Sequence, residues 1–295
     1  SFGQITCGAD GCVAGQDVTL SITSADEYDN MAVLGNCLYQ VEFSVVGYIQ
    51  ATPFQAALAQ TAQEAPTDNE DGSYTVVYTP TLSGDYSVDV KLCEDELGAP
   101  PCWREFDAQG QPYEVCGCRR IGRFGLLNAT IVAAEPFGGN TIAYGDSKAI
   151  NPNACGAECP LYVARNALGY AQSGYAFEFT VEARDIYNNR INVGGDEITG
   201  SVYHTVFNQN TPFTNRTDPC SDLEDAECAV YGDNGDGTYR LTYRVTLSGT
   251  YKLNVRIEGL GISTVGNIEG RDDLNNRWFI LDVDAAAAFA PFTEI

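Results

Sequence analysis

An internal repeat constrains the fold of this chain more than any other feature of its sequence. Residues 68–90 match residues 233–255 at a constant offset of 165 positions, without a gap over more than twenty positions. Both segments contain an Asp-Asn-x-Asp-Gly turn, a Tyr-x-x-x-Tyr pair and a Thr-Leu-Ser-Gly turn followed by a tyrosine. Self-similarity at a fixed offset is the mark of a duplicated structural unit. The chain is therefore expected to fold as two copies of one domain.

The similarity extends towards the amino terminus of each copy. Residues 19–30 parallel residues 178–189, and a Gly-Asn-Cys step at 35–37 stands where Gly-Gly-Asp stands at 194–196. A Pro-Phe pair follows the last strand-like segment of each half. We therefore expect domain boundaries at residues 1–134 and 135–295.

The repeated segments have the pattern of strands. From Tyr74, alternate residues are apolar or aromatic, which places Tyr74, Val76 and Tyr78 on one face, and a second alternation begins at Tyr86. Period-two patterning with Gly, Asn and Asp turns every 8 to 12 residues is typical of a β-sandwich. Residues 54–64, rich in Ala and Gln, allow either one short helix or a loop insertion.

These motifs resemble the filamin-type repeat, an immunoglobulin-like sandwich. The resemblance rests on Asp-x-Tyr-x-Asn, Gly-Gly-Asp, Asp-x-x-Asp-Gly-Thr-Tyr and Gly-x-Tyr-x-x-x-Val in the second half. The first half departs from it at Cys37 and carries a cysteine-bearing hairpin over residues 93–118. The fold class implied is all-β, with two tandem immunoglobulin-like (filamin-type) β-sandwich domains.

The resemblance also implies a class of roles. Filamin repeats are stiff modules joined end to end, with open sheet edges that can accept a partner strand. Cytosolic filamin repeats are cysteine-poor spacers in actin cross-linkers, and eleven cysteines speak against that role here. Extracellular relatives in plants and protists look like cell-surface and gamete-adhesion proteins.

Charge excludes two classes of partner. The formal net charge is −24 with only 16 basic residues, so nucleic acid and anionic membrane surfaces would be repelled. The one tight basic group, Arg119, Arg120 and Arg123, is interpreted as a solvated loop. No apolar run reaches the length of a membrane span, so no direct membrane insertion is expected.

The cysteine spacings indicate disulfides in an oxidising compartment. The close pairs lack the C-x₂-C spacing of zinc sites, and the single histidine offers no ligand set. The expected local pairs are Cys7–Cys12, Cys155–Cys159 and Cys220–Cys228, with Cys93 and Cys102 bridging one hairpin loop. This leaves Cys37, Cys116 and Cys118 for one bond and one odd thiol. The odd thiol has three equally good explanations: an intermolecular disulfide, a partner cysteine missing because the sequence is truncated, or a buried thiol.

Two N-glycosylation sequons fit the same compartment. They are Asn128-Ala-Thr and Asn215-Arg-Thr, and N-linked glycans are expected at both asparagines. Together with the cysteines they predict a secreted or cell-surface protein.

No motif indicates catalysis or a cofactor. His204 lies alone in a strand-like segment, and no nucleophile motif accompanies it. The loop that begins at Asp233 fails the EF-hand pattern, because Gly235 stands at position three and Arg244 at position twelve. We therefore expect no enzyme activity and no cofactor. A calcium ion at a junction between repeats stays an unlocated alternative.

The two ends of the chain resemble the junction between the repeats. One explanation is a two-domain piece of a longer array. The other is a subunit that polymerises head to tail, in which a carboxy-terminal tail docks on residues 1–6 of a neighbour. The tail residues expected to carry this assembly are Ala285, Phe289, Pro291, Phe292 and Ile295.

Three functions follow as hypotheses. The first is a structural subunit or repeat segment of an extracellular filament, sheath or surface appendage. The second is a ligand-binding or adhesion ectodomain module that uses a sheet edge or the 93–118 hairpin. The third is an accessory domain of a secreted enzyme. In the first two the partner is protein, either a second copy of the chain or another extracellular protein.

Overall fold

The structure is a computed structural model in which the chain folds into two compact units, Ser1–Ala134 and Glu135–Ile295. The residues it describes are 2–25, 30–33, 35–48, 62–94, 102–106, 111–120, 127–144, 170–216, 220, 227–264 and 278–285. These residues form strands and turns, in agreement with the predicted all-β class. None of them belongs to a helix with the length and apolar character that crossing a bilayer requires.

The described residues of unit 1 form eleven strands. They are β1 (Phe2–Thr6), β2 (Val18–Thr23), β3 (Leu38–Tyr48), β4 (Ala62–Glu64), β5 (Thr67–Asp68), β6 (Ser73–Tyr78), β7 (Gly84–Glu94), β8 (Cys102–Phe106), β9 (Pro112–Cys116), β10 (Arg119–Arg120) and β11 (Leu127–Ile131). One sheet has the order β1-β2-β6-β5, and the other has the order β10-β7-β3-β4 with β11 also paired to β7. β8 and β9 form a separate hairpin.

Unit 2 repeats this plan with additional short strands. They are β12 (Ile142–Tyr144), β13 (Tyr170–Gln172), β14 (Ala176–Glu182), β15 (Ile198–His204), β16 (Asn210–Pro212), β17 (Thr214–Asn215), β18 (Cys228–Asp233), β19 (Thr238–Arg244), β20 (Gly249–Ile257), β21 (Leu260–Gly261), β22 (Ser263–Thr264) and β23 (Phe279–Asp284). One sheet has the order β17-β18-β19-β14-β12-β22, and the other has the order β13-β23-β20-β15-β16.

Two expectations about local structure were wrong where the structure describes the residues concerned, while residues 54–61 and Arg123 lie outside the described residues. Residues 62–64 form β4, which pairs with β3, so this end of the segment that allowed a helix is a strand. Arg119 and Arg120 form β10 and pair with Leu92 and Lys91 of β7, so they are not a loop. In both places the backbone continues the edge of an existing sheet, and its hydrogen bonds to that sheet outweigh the weak strand preference of the local sequence.

The predicted strand faces supply the core of each unit. In unit 1, Tyr74, Val76 and Tyr86 are buried and pack in one cluster with residues of β2 and β3. In unit 2, Tyr239 and Tyr251 occupy the equivalent positions and are buried. Burying such aromatic side chains is the main favourable contribution to folding of a sandwich of this size.

A tyrosine closes the same corner in both units. The hydroxyl of Tyr86 donates a hydrogen bond to the carbonyl of Leu82 at 2.9 Å, and that of Tyr251 donates to the carbonyl of Leu247 at 3.0 Å. This arrangement is the tyrosine corner of immunoglobulin-like sandwiches. The repeated Leu-Ser-Gly-x-Tyr motif therefore has a structural role.

Candidate functional site

The Gly-Gly-Asp motif of unit 2 anchors a loop to an aspartate. Asp233 accepts hydrogen bonds from the backbone N–H groups of Gly195 and Gly235, each at 2.7 Å. A Cβ atom on Gly194 would lie 2.2 Å from Oδ1 of Asp233. The glycine is thus required so that the backbone can approach the carboxylate.

Asp196 and Tyr239 form the second half of this anchor. The Tyr239 hydroxyl donates to Oδ2 of Asp196 at 2.7 Å and accepts the backbone N–H of Asp196 at 3.0 Å. Burial raises the pKa of the Tyr239 hydroxyl, and its hydrogen bond to Asp196 raises it further. Burial also raises the pKa of the Asp196 carboxyl, against the opposing effect of the Tyr239 hydrogen bond. Asp196 and the Tyr239 hydroxyl therefore satisfy each other's hydrogen bonds, and the pair has a structural role.

Unit 1 contains the same anchor with one substitution. Asp68 accepts the backbone N–H groups of Asn36 at 2.6 Å and Glu70 at 2.8 Å, and the Tyr74 hydroxyl accepts the backbone N–H of Cys37 at 2.7 Å. Cys37 occupies the position of Asp196, so a sulfur replaces the carboxylate beside the tyrosine. This is where the first repeat departs from the motif.

The acidic turn that begins at Asp233 was considered for calcium binding. Its carboxylates accept hydrogen bonds from within the turn. Asp236 accepts both the backbone N–H and the hydroxyl of Thr238, at 3.1 and 2.5 Å. The Thr238 side-chain bond is the main reason that the pKa of Asp236 is lowered. In the described part of the chain, no group of three or more His, Cys, Asp or Glu side chains is arranged to hold a metal ion.

His204 is a buried structural residue at the end of β15. Its Nδ1 atom accepts the backbone N–H groups of Val206 at 3.1 Å and Phe207 at 3.2 Å. Its Nε2 atom lies 3.3 Å from the carbonyl of Ser248, and its ring packs edge-on against Tyr251. Both ring nitrogens are engaged with backbone groups, so the histidine shapes the turn that follows β15.

The structure joins Cys7 to Cys12 and Cys220 to Cys228. Cys155 and Cys159 lie outside the described residues. The second of the two bonds is buried against Val230 and holds residue 220 to β18.

The expected pairing of Cys93 with Cys102 is wrong, because Cys93 is bonded to Cys118. The pairing of Arg119 with Leu92 brings residue 118 beside residue 93 at the base of the hairpin. Cys102, in turn, lies opposite Cys116 in the β8–β9 register.

Several sheet edges expected to be open are covered by the chain itself. In unit 2, β16 pairs with β15, and β17 pairs with β18, so one short segment covers β15 and β18 and supplies the last described strand of each sheet. Phe213, between these two strands, is buried and packs edge-on against Phe179. In unit 1, β4 covers residues 41–43 of β3.

A glutamate holds the covering segment in place. Glu227 accepts hydrogen bonds from the side chains of Gln209 and Thr211, the latter at 3.3 Å, and from Thr246 at 3.0 Å. Sequence reasoning missed this closure. The proline at 212 was its only local signal, since proline in a sheet is confined to edges.

Two of the terminal strands of unit 1, β1 and β11, have an outer side with little or no pairing among the described residues. β1 pairs with β2 on one side, and no described strand pairs with its other side. The equivalent strand of unit 2, β12, has β22 on that side. β11 pairs with β7, and its outer side is covered only at its end, where Val132 forms a bridge with Val13.

The predicted modification and assembly residues fall in different parts of the structure. Asn128 is exposed on β11, and Asn215 is exposed on β17. Ala285 is exposed directly after β23. Phe289, Pro291, Phe292 and Ile295 lie outside the described residues.

Two sheets per unit, the strand order and the tyrosine corners define a pair of tandem immunoglobulin-like β-sandwiches. The profile of the Filamin/ABP280 repeat matches residues 3–102 and 161–265. The chain therefore belongs to the filamin repeat family, as its motifs predicted.

Solved structures with a similar course of the chain are distant from it. FdeC, an Escherichia coli adhesin, is 14% identical with a TM-score of 0.41, and the match covers 95% of this chain and 63% of that one. InvD of Yersinia pseudotuberculosis is 14% identical with a TM-score of 0.39, over 99% of this chain and 60% of that one. The Lin-41 filamin domain is 14% identical with a TM-score of 0.30, over 51% of this chain and 97% of that one. This chain thus spans less than two thirds of the two bacterial structures.

Proposed function

We propose that the chain is a non-catalytic, extracellular structural module that associates with other protein chains by strand addition at the open edge of β1. The disulfides support an oxidising compartment, since such bonds are rare in proteins of the reducing cytosol. The repeated motifs serve as anchors of loops and corners, which supports a structural role.

The observation that carries the proposal is the edge position of β1 in its sheet. β1 and β12 occupy the same place beside the second strand of their sheet, β2 and β14. β12 pairs with β22 on its outer side, which supports the proposal that this place can take a further strand, and no described strand pairs there with β1; residues 98–99, the equivalents of β22 in unit 1, lie outside the described residues. The outward-facing N–H and C=O groups of β1 can therefore pair with an added strand.

The occupant that we propose is the segment 285–295 of a second copy. This segment follows β23 and contains nine apolar residues, Thr293 and one acidic residue, Glu294. In a chain with a net charge of −24, a nearly uncharged segment can approach an acidic neighbour with little repulsion. Head-to-tail contacts of this kind produce filaments when they do not close.

Truncation after Asp284 tests this assembly. β23 ends at Asp284, whose carbonyl accepts the backbone N–H of Ser173, so the truncated chain keeps its last strand. We expect the full chain to form fibres in electron micrographs and larger species in sedimentation velocity, and the truncated chain to remain monomeric. Assembly that is unchanged by truncation would contradict the proposal.

A pair of substitutions separates strand addition from general apolar stickiness. Ala286→Pro with Ala288→Pro removes backbone donors that an added strand needs, while Ala286→Val with Ala288→Val retains them. We expect assembly in the valine variant only. Hydrogen exchange should show that the amides of Phe2–Thr6 become protected when a synthetic 285–295 peptide is added to the truncated chain.

A second candidate is an adhesion module that binds through the β8–β9 hairpin. The bond between Cys93 and Cys118 holds the base of this insertion to β7, so the hairpin is presented from a fixed position. A monodisperse two-domain monomer whose binding to another extracellular protein is lost when residues 95–117 are replaced by a Gly-Ser linker would favour this function over the filament subunit.

A further inference from the structure

We propose that Asn128 and Asn215 carry N-glycans that prevent the edge strands β11 and β17 from pairing with a second copy of the chain. The proposal rests on the extracellular location proposed above, since N-glycans are added in the secretory pathway. It assigns the two sequons a role in blocking edge-to-edge pairing. The evidence is their position on edge strands.

After the edge of β1, the longest open edge among the described strands is that of β11, which contains Asn128. β11 pairs with β7 from Leu127 opposite Val88 to Ile131 opposite Gly84. On its outer side, the described pairing begins only at Val132, which exchanges backbone hydrogen bonds with Cys12 and Ala14 at 2.9 Å. No described strand pairs with the outer side of residues 127–130, and Asn128 is exposed within this stretch.

Asn215 lies on the outermost strand of a different sheet. β17 is the end of the six-stranded sheet and pairs in parallel with β18, with Asn215 opposite Tyr231. Thr214, Asn215 and Arg216 are all exposed. Both sequons of the chain therefore occur on terminal strands, one in each unit.

An unprotected edge is a liability for a protein that is meant to assemble in one direction. Strands pair at a spacing of about 4.8 Å, so a second sheet must approach closely along the whole edge. At physiological salt the repulsion between the charged copies is largely screened beyond about 8 Å. A bulky, hydrophilic glycan on the edge strand adds a steric barrier to the approach of a second copy.

β1 carries no such block. The residues of β1 and its neighbour β2 contain no sequon, and both sequons lie on other strands. Glycosylation would thus hinder lateral pairing at β11 and β17, whereas β1 itself has no attachment site.

The test uses the chain truncated after Asp284, secreted from eukaryotic cells, so that head-to-tail assembly does not interfere. Glycopeptide mass spectrometry measures occupancy at both sites. Sedimentation velocity then compares the parent chain with Asn128→Gln, Asn215→Gln and the double variant. Two controls leave the sequons intact: Asn192→Gln, at an exposed asparagine outside any sequon, and Thr130→Ser, which keeps both the sequon and a hydroxyl beside Asp85.

We expect full glycan occupancy at both asparagines and a monomeric parent chain. The association constant for dimerisation of the double variant should be at least about tenfold higher than that of the parent chain. Trimming the glycans enzymatically from the folded parent chain should raise dimerisation in the same way, which excludes misfolding of the variants as the cause. Hydrogen exchange should protect the amides of β11 or β17 in the dimer.

Two results would overturn the inference. Unoccupied sequons would refute the inference and leave the proposed function standing, because the experiment itself imposes secretion. Occupied sequons with a double variant and a trimmed chain that both stay monomeric would refute the edge role alone and leave the β1 proposal standing.

Discussion

The Tyr239–Asp196 anchor allows a quantitative test, because the other unit contains a natural variant of it. Tyr239→Phe deletes a 2.7 Å bond to a carboxylate and a 3.0 Å bond from a backbone N–H. A hydrogen bond to a charged group contributes about 1.5–3 kcal/mol and a neutral one about 1 kcal/mol. Since water can reach the half-buried Asp196, we take the lower end and expect a loss of about 2 kcal/mol from the free energy of unfolding of unit 2.

The matched change is Tyr74→Phe in unit 1. There the hydroxyl accepts the N–H of Cys37 at 2.7 Å, and sulfur, a weak acceptor, stands in place of the carboxylate. We expect a loss of about 1 kcal/mol from unit 1. Asp196→Asn should reduce the effect of Tyr239→Phe to a similar value, because the charge is then absent.

Each unit has one tryptophan, which makes the two unfolding transitions separable. Trp103 belongs to unit 1 and Trp278 to unit 2, where Nζ of Lys252 lies 4.4 Å from the centre of its ring. Urea unfolding followed by fluorescence in Trp103→Phe and Trp278→Phe backgrounds therefore reports one unit at a time. The interpretation that the Asp196 carboxylate makes the anchor of unit 2 stronger would be refuted by either of two results. One is an equal loss of unfolding free energy in Tyr239→Phe and Tyr74→Phe, and the other is an unchanged effect of Tyr239→Phe in the Asp196→Asn background.

Three further predictions follow from other contacts. Gly194→Ala should lower the free energy of unfolding of unit 2 by about 1–3 kcal/mol, since the new Cβ would lie 2.2 Å from the Asp233 carboxylate. The control Gly232→Ala should not, because its Cβ would meet nothing nearer than 3.8 Å. Chemical unfolding measures both variants. Peptide mapping without reduction should find Cys93 linked to Cys118 and Cys102 linked to Cys116; a Cys93–Cys102 peptide would contradict the register. The lowered pKa of Asp236, caused mainly by the Thr238 hydroxyl, stabilises unit 2 above the ordinary aspartate pKa, and this contribution is lost as the pH falls below about 4. Asp236→Asn should therefore reduce the acid sensitivity of unit 2, and an unchanged pH profile would count against it.

The parts of the fold that could be predicted from sequence are those with a local physical cause. Alternation places Tyr74 and Val76 in the core, and the repeated turn glycine at Gly237 is required because its φ is 75° and a Cβ there would meet the Ile191 carbonyl at 1.9 Å. Such requirements recur in both halves and are visible as the repeat.

The parts that could not be predicted depend on register or on distant pairing. The partner of Cys93 depends on how β10 aligns with β7, and spacing along the chain favoured the nearer Cys102 over Cys118. β16 and β17 were missed because Asn210–Pro212 has low strand propensity and becomes a strand only by pairing with β15.

The parallel pairing of β13 with β23 has a mechanical consequence. Residues 170–172 align with residues 282–284 in the same direction. When tension pulls β13 towards its amino end and β23 towards its carboxy end, the two strands slide past each other in shear. Their hydrogen bonds then carry the load together and must break at the same moment, whereas an antiparallel hairpin opens one bond at a time. Resistance of this kind is kinetic, since the rate of forced opening and not the equilibrium free energy determines how long a loaded unit survives.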